Sequence, residues 1–80
     1  MRNAEKLTPL QLGILRFIGD YRRQHGYAPS IREISIFAGH KHGSRTSYHV
    51  DILVLKGYLK KDIGVARSLR LTGKHIEVKE

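Results

Sequence analysis

Two groups of hydrogen-bonding and cationic side chains lie in the second half of this 80-residue sequence. One group contains hydroxyl, guanidinium, phenol and imidazole side chains: His42, Ser44, Arg45, Ser47, Tyr48 and His49. A second group is mostly cationic and is spread over residues 60–70: Lys60, Lys61, Arg67 and Arg70. Because these side chains donate hydrogen bonds and carry positive charge, they suit an anion that offers many acceptor atoms.

The net charge of the chain points to the same segment. The sequence has 15 Lys and Arg residues against 7 Asp and Glu residues, a net charge of +8. Residues 41–70 contain seven basic and two acidic residues, so they contribute +5 of that charge. A small basic domain most often binds a polyanion, and nucleic acid is the commonest one.

The composition disfavours metal sites and catalysis. The absence of cysteine excludes disulfides and thiolate zinc sites. His40 and His42 form the only close histidine pair, with His49 seven residues later, and no acidic cluster completes a ligand set. The sequence has no glycine-rich phosphate loop, and its length leaves little room for a pocket. We therefore predict no metal, no cofactor, no small-molecule ligand and no enzymatic activity.

No signal for export or membrane insertion is visible in the sequence. The N-terminal residues Met1–Lys6 have no apolar segment typical of a signal peptide. No apolar run approaches the roughly 18–20 residues that span a bilayer. We therefore expect a cytoplasmic protein with no membrane partner.

The cationic and polar residues need elements that position them, and capping motifs predict the first two helices. Thr8–Gln11 and Ser30–Glu33 are capping boxes, which open helices predicted at 9–25 and 31–38. Gly26 and Gly39 follow as C-terminal stops. A third helix is predicted from about Ser44 to Gly57.

The third predicted helix has two different halves. Thr46, Val50, Leu53 and Val54 share its inner face. The outer face is polar in the first half, but Ile52 and Leu55 make it apolar in the second half. A helix that is apolar on both sides is covered on both sides. We therefore expect a later segment to cover Ile52 and Leu55.

Two strand candidates, residues 58–62 and 68–72, complete the order of elements and can form that cover. Three helices followed by a hairpin predict a mainly α fold with a small antiparallel β-hairpin, the winged helix-turn-helix arrangement. The predicted domain covers residues 1–72, and residues 73–80 are a predicted tail or linker.

This arrangement predicts binding of double-stranded DNA. The N-terminal half of a third helix can enter the major groove, where Arg45 could donate twice to guanine. Ser44 and Ser47 could contact bases or phosphates, and Tyr48 and His49 could contact phosphates or a thymine methyl group. Lys60, Lys61 and Arg67 would contact phosphates or the minor groove. The alternative is that these are ordinary solvent-exposed residues.

The start of the second helix is another predicted phosphate contact. Free N–H groups at a helix N-terminus attract anions, and Ser30 and Arg32 lie there. The alternative is that Ser30 only caps its own helix.

Four segments resemble the DNA-binding domain of the LexA repressor family. They are Leu7–Gln11, Tyr27–Ile34, Leu53–Leu59 and Ala66–Leu71, in matching order and spacing. The resemblance implies a bacterial repressor of the DNA-damage (SOS) response that binds a palindromic operator as a dimer. It places DNA contacts at His42, Ser44, Arg45, Ser47 and Tyr48, with wing contacts near Lys60, Lys61 and Arg67.

The sequence departs from this family in two ways. His42–Arg45 replaces the Ser-Pro or similar cap that commonly opens the third helix, so the operator sequence could differ. The family's C-terminal Ser/Lys self-cleavage and dimerisation domain is absent from these 80 residues. We therefore expect either an isolated domain or a stand-alone regulator of another regulon, carried by a phage or mobile element.

A winged-helix module that docks an acidic protein partner is the rival hypothesis. The polar, Arg-bearing third helix favours DNA, since a protein-binding face usually exposes large apolar residues. RNA binding ranks lower because the chain has no aromatic-rich sheet for base stacking.

Overall fold

A computed structural model of the protein describes residues 7–74, and its elements follow the predicted order. Three helices precede two strands: α1 at Pro9–His25, α2 at Ile31–Ala38, α3 at Gly43–Leu55, β1 at Leu59–Lys60 and β2 at Arg70–Leu71. The strands pair antiparallel, with Leu59 opposite Leu71. The predicted fold class, a winged helix-turn-helix, is confirmed. Residues 59–71 are called the wing below.

Both capping boxes form, and they fix the first two helices. The Thr8 hydroxyl accepts from the Gln11 backbone N–H at 3.1 Å, and the Gln11 side chain accepts from the Thr8 N–H at 3.2 Å. Ser30 and Glu33 make the same reciprocal pair at 3.1 and 2.8 Å. Each helix then ends at a glycine in the left-handed region, so the predicted bounds are confirmed.

α3 and the strands are shorter than predicted. α3 ends at Leu55, two residues before Gly57, whose φ of +89° redirects the chain. The strands contain two residues each because the connection bonds within itself. The Val65 N–H donates to the Asp62 carbonyl at 3.1 Å, and the Ser68 hydroxyl lies 3.0 Å from the Asp62 backbone N and 2.9 Å from the Val65 carbonyl oxygen.

The core lies where the helices meet the wing. It contains residues from every element or its immediate flank: Ile14, Leu15, Ile18, Ala28, Ile34, Val50, Leu53, Tyr58, Leu59 and Leu69. α1 packs on α2 and β2, and α3 packs on α2 and β1. The hairpin therefore packs on helices α1 and α3.

The expectation that the hairpin covers Leu55 is wrong. The Leu55 side chain is 87% exposed, and Ile52 is only partly buried. The wing packs on the inner face of α3 instead, where Leu53 and the wing residue Leu59 are both buried. Two-residue strands are too short to continue around to the outer face.

A buried polar contact joins α2 to α3. The Ser35 hydroxyl lies 2.7 Å from the Thr46 hydroxyl and 2.9 Å from the Ile31 carbonyl oxygen. The Thr46 hydroxyl is also hydrogen-bonded to Nδ1 of His40, in the turn between the helices, at 2.8 Å. Side chains from both helices and from the turn thus share one network, and a polar network of this kind fixes one arrangement.

Polar contacts also tie the wing to the helices: Arg22 of α1 donates to the Leu69 carbonyl oxygen at 3.4 Å, and Arg67 of the wing makes a larger set of contacts. The guanidinium of Arg67 donates to both carboxylate oxygens of Glu33, at 2.9 and 3.1 Å. It also donates to the Ala28 carbonyl oxygen at 3.2 Å and to the Tyr21 hydroxyl at 3.3 Å. The hydrogen bonds from Arg67, and then that from the Ser30 backbone N–H, lower the pKa of Glu33 to about 2, and Glu33 in turn raises the pKa of Arg67.

Lys74, in the predicted tail, contacts the end of α3. The Lys74 ammonium donates to the Lys56 carbonyl oxygen at 2.6 Å, at the C-terminal end of α3, and lies 4.8 Å from the centre of the Tyr58 ring. Residues 75–80 of the predicted tail lie outside the described residues. Within the described part of the chain, no helix has the length and apolar character needed to cross a membrane.

Replacing Thr46 with valine should destabilise the fold. The change keeps the side-chain shape but removes the hydroxyl that binds Ser35 and His40. Loss of a buried hydrogen-bond partner costs about 1–3 kcal/mol in the free energy of unfolding. Urea denaturation measures this energy, with Ser44→Ala as a control at an exposed hydroxyl. Equal midpoints for wild type and Thr46→Val would refute the role of the network.

Acid should weaken the fold through Glu33. Its pKa in the folded state is about 2, below the ordinary value of 4.5, so the unfolded state binds more protons between these values. The stabilisation is complete above about pH 4.5 and is lost as the pH falls towards about 2. As the pH is lowered across this range, the melting temperature should fall less steeply for Glu33→Gln than for wild type. A control without a titrating side chain, Ser44→Ala, should keep the wild-type pH dependence.

Candidate nucleic-acid interface

The first turns of α3 present a polar outer surface. Ser44 and Arg45 are exposed, and one turn later Tyr48 is 62% exposed. Among residues 7–74, the structure gives Arg45 no carboxylate partner. Its guanidinium charge is therefore available to an external ligand. On the inner side Thr46 and Val50 are buried, so the orientation of this surface is fixed by the core.

His49 has a structural role that the sequence does not reveal. Its Nδ1 atom accepts a hydrogen bond from the Gln11 side-chain amide of α1 at 3.3 Å. The ring stacks on that of His40, with 6.0 Å between ring centres. Burial first, and then the charges of His40 and Arg45, lower the pKa of His49. The neutral imidazole therefore joins α3 to α1, and direct DNA contact by His49 stays a prediction.

The turn before α3 adds a cation that the sequence analysis did not assign to the site. Lys41 is exposed and lies four residues before Arg45, next to the exposed His42. These residues line a shallow depression with Gly39, His40 and Ser44. The positive charge of residues 41–70 was the signal that could have identified Lys41.

The predicted wing cations have different surroundings. Lys60 is exposed, and among the described residues it makes no ion pair. Lys61 donates to Asp51 of α3 at 3.1 Å, and Arg70 lies 3.7 Å from Asp62. Exposed ion pairs such as these stabilise a protein by about 0–1 kcal/mol, so Lys61 can exchange its carboxylate for a phosphate. Arg67 differs, because its guanidinium is held by Glu33 and its neighbours.

The wing and the start of α2 face each other across a groove. Ser30, Ile31 and Arg32 line one side, and wing residues from Lys61 to Leu69 line the other. The hydroxyl of Ser30 is used by its own helix, which agrees with the alternative in which it only caps α2. Arg32 is exposed at the rim. The structure thus brings Arg32 and Lys61 to the same groove, although 29 positions separate them in the sequence.

The tip of the wing is apolar, which the sequence analysis missed. Ile63 is 94% exposed and Val65 is 56% exposed, on either side of Gly64. Gly64 has a φ of +79°, as the third residue of the tight turn closed by Val65 and Asp62 requires. The Ile-Gly-Val sequence directly after the charged run Lys60–Asp62 was the available signal.

No three His, Asp or Glu side chains gather into a metal site within the part of the chain that the structure describes. His40 and His49 use their Nδ1 atoms for hydrogen bonds to Thr46 and Gln11. Both histidines thus take part in packing the helices.

Comparisons with known proteins agree with this geometry. Residues 4–68 match the family model described as the LexA DNA binding domain. The LexA repressor of Geobacter metallireducens is 42% identical over 72 residues, which cover 86% of this chain and 34% of the relative. The LexA repressor of Limosilactobacillus fermentum is 39% identical over 71 residues, covering 89% of this chain and 34% of the relative.

A third relative gives the same result. The LexA repressor of Geotalea uraniireducens is 38% identical over 69 residues, with 86% of this chain and 34% of the relative covered. The chain therefore spans about a third of the length of the curated relatives it matches. Since the family model covers most of the chain and includes α1, α2, α3 and most of the wing, the chain belongs to the LexA DNA-binding domain family.

Proposed function

We propose that this chain is the sequence-specific DNA-binding unit of a LexA-like transcriptional repressor, with double-stranded DNA as its partner. The observation that carries the proposal is the outer surface of α3, where Ser44, Arg45 and Tyr48 are exposed on a helix whose inner side is buried. A helix with this division can insert its first turns into the major groove while the core holds it in place.

Base contacts are assigned to the start of α3. Arg45 reaches the guanine edge, where its two parallel donors match O6 and N7. Ser44 and Ser47 bond to bases or to the flanking phosphates. Tyr48 and His42 lie at the edges of this surface and contact the backbone or a thymine methyl group. Lys41 adds a positive charge just before the N-terminus of α3.

Backbone contacts are assigned to the wing and to α2. Lys60 and Lys61 neutralise phosphates from the wing side of the groove, and Arg32 neutralises phosphates from the α2 side. These contacts carry no sequence information, but they set the register of α3 in the groove. Ser30 contributes by keeping the α2 N-terminus in place.

Membership of the family supports a proposal for the regulatory setting. The repressor occupies an operator in bacterial cytoplasm and blocks polymerase there, with the SOS genes as its targets. Two copies bind a palindromic operator, each reading one half-site. Selection of bound DNA from a random pool tests this, because a palindrome indicates two copies and gives the half-site spacing. Recovery of a single asymmetric site would contradict dimeric binding.

DNA binding should weaken strongly with salt. About six phosphate contacts predict a slope near −5 in a plot of log affinity against log salt concentration. Titration of a duplex from the selected pool at several salt concentrations measures this slope. Binding that is insensitive to salt would contradict the proposed contacts.

Single substitutions should distinguish the residues that read bases from those that bind the DNA backbone. Arg45→Ala should cost about 1–3 kcal/mol and relax preference at one base position. Lys60→Ala should weaken all duplexes alike and make the salt slope shallower by about 1. Arg23→Ala, a matched loss of one cation on α1 where Arg23 pairs with Asp20, serves as the control. Identical profiles for Arg45→Ala and Lys60→Ala would contradict the division of roles.

A further inference from the structure

The partners of Arg67 surround its guanidinium. One nitrogen, Nη1, lies within hydrogen-bonding distance of the Tyr21 hydroxyl, the Ala28 carbonyl oxygen and Glu33 Oε1, while Nη2 donates to Glu33 Oε2. The carbon of the guanidinium also lies 5.1 Å from the centre of the Tyr27 ring. Arg67 thus binds α1, the α1–α2 connection and α2 from a single position on the wing.

The carboxylate that receives Arg67 has a second task. Glu33 Oε1 accepts from the Ser30 backbone N–H at 2.8 Å, which is one half of the capping box of α2. The same carboxylate therefore closes the N-terminus of α2 and holds the wing. These two elements are the opposite sides of the groove that carries Arg32 and Lys61.

The backbone at Arg67 adapts to this contact. Its φ is +55°, and it is the one residue other than glycine with a positive φ within residues 7–74. A residue other than glycine is held in the left-handed region only where its surroundings compensate for the backbone strain. The contacts of the side chain supply that compensation, so the path of the wing depends on them.

We propose that Arg67 is a positioning residue, which holds the wing at a fixed distance from the N-terminus of α2 so that Lys60 and Lys61 meet the phosphates. This role deepens the proposed function and rests on it. It replaces the direct DNA contact that the sequence predicts for Arg67. If the Arg67 guanidinium bound a phosphate instead, it would lose its ion pair with Glu33. The unpaired Glu33 carboxylate would then repel the DNA.

The substitution Glu33→Gln separates the two roles because they predict opposite effects. Glutamine can still serve in a capping box, but it removes the ion pair with Arg67 and makes the protein more positive by one charge. A positioning role predicts weaker DNA binding in spite of the added charge. The loss should match that of the double variant Lys60→Ala/Lys61→Ala, and the salt slope should become shallower by about 2.

Asp20→Asn is the matched control, since it removes one exposed carboxylate from α1 with the same change in charge. It should bind DNA as tightly as wild type or more tightly. Thermal melts establish that each variant is folded at the temperature of the titration. The proposal would be overturned if Glu33→Gln bound DNA as tightly as wild type or more tightly, with an unchanged salt slope.

Arg67→Lys provides a second test that leaves Glu33 intact. Lysine keeps the charge but lacks the planar fork that binds both carboxylate oxygens. A positioning role predicts that Arg67→Lys loses as much DNA affinity as Arg67→Gln. A direct phosphate contact predicts that Arg67→Lys binds nearly as tightly as wild type, and this result would overturn the proposal. When Lys60→Ala and Lys61→Ala are added to either Arg67 variant, DNA affinity should fall little further. Affinity losses that add in full would also overturn the proposal.

The wild-type background distinguishes failure of this inference from failure of the proposed function. If Lys60→Ala/Lys61→Ala weakens wild-type binding but the Glu33 and Arg67 variants bind normally, the wing contacts DNA and the positioning role is wrong. If the lysine substitutions leave wild-type affinity and slope unchanged, the wing contact itself is wrong, and the positioning role is overturned with it.

Discussion

The carboxylate of Glu33 connects the two parts of this small domain that have least else to hold them together. It completes the capping box of α2 through the Ser30 backbone N–H, and it binds both nitrogens of the Arg67 fork from the wing. The wing has strands of only two residues, so its own backbone pairing is limited. Its position therefore depends on Leu59 and Leu69 in the core and on side-chain contacts to the helices, among which this ion pair joins the wing to α2.

The second constraint is the arrangement of α2 against α3. A core this small cannot fix helix orientation by apolar contacts alone, and α2 contributes one fully buried apolar side chain, Ile34. The hydroxyl pair of Ser35 and Thr46, extended by His40, adds a directional contact at the crossing. His49 and Gln11 make a similar polar link from α3 to α1. The exposed face of α3 is consequently held by hydrogen bonds as well as by packing.

The distribution of charge follows from these links. Of the cations in residues 41–70, Arg67 is used inside the domain, while Lys61 and Arg70 form exposed pairs with Asp51 and Asp62. Arg45 and Lys60 make no ion pair with the described carboxylates. A net charge of +5 in this segment thus indicates the face but not the individual contacts. The contacts depend on which carboxylate each cation meets after folding.

The sequence by itself determined what is local. Capping boxes at Thr8 and Ser30, and glycines at the ends of α1 and α2, act within four residues, so the helix bounds could be read directly. The apolar period also identified the buried face of α3, with Thr46, Val50 and Leu53. The polar surface at Ser44 and Arg45 followed from that same period. The order of three helices and a hairpin indicated the fold, and four short segments carried the family resemblance, since order and spacing are also readable along the chain.

Only the tertiary structure decided how distant segments meet. Arg67 and Glu33 are 34 positions apart, and no periodicity connects them, so the ion pair between them could not be predicted from the sequence. The prediction that Leu55 is covered was wrong, because the apolar pattern of a helix does not show which of its faces a later segment packs on. The roles of His49 and Ser35 depended on Gln11 and Thr46, which lie on other helices. Sequence patterns report the face of an element, whereas the partner of a long polar side chain is set by the three-dimensional arrangement of all elements together.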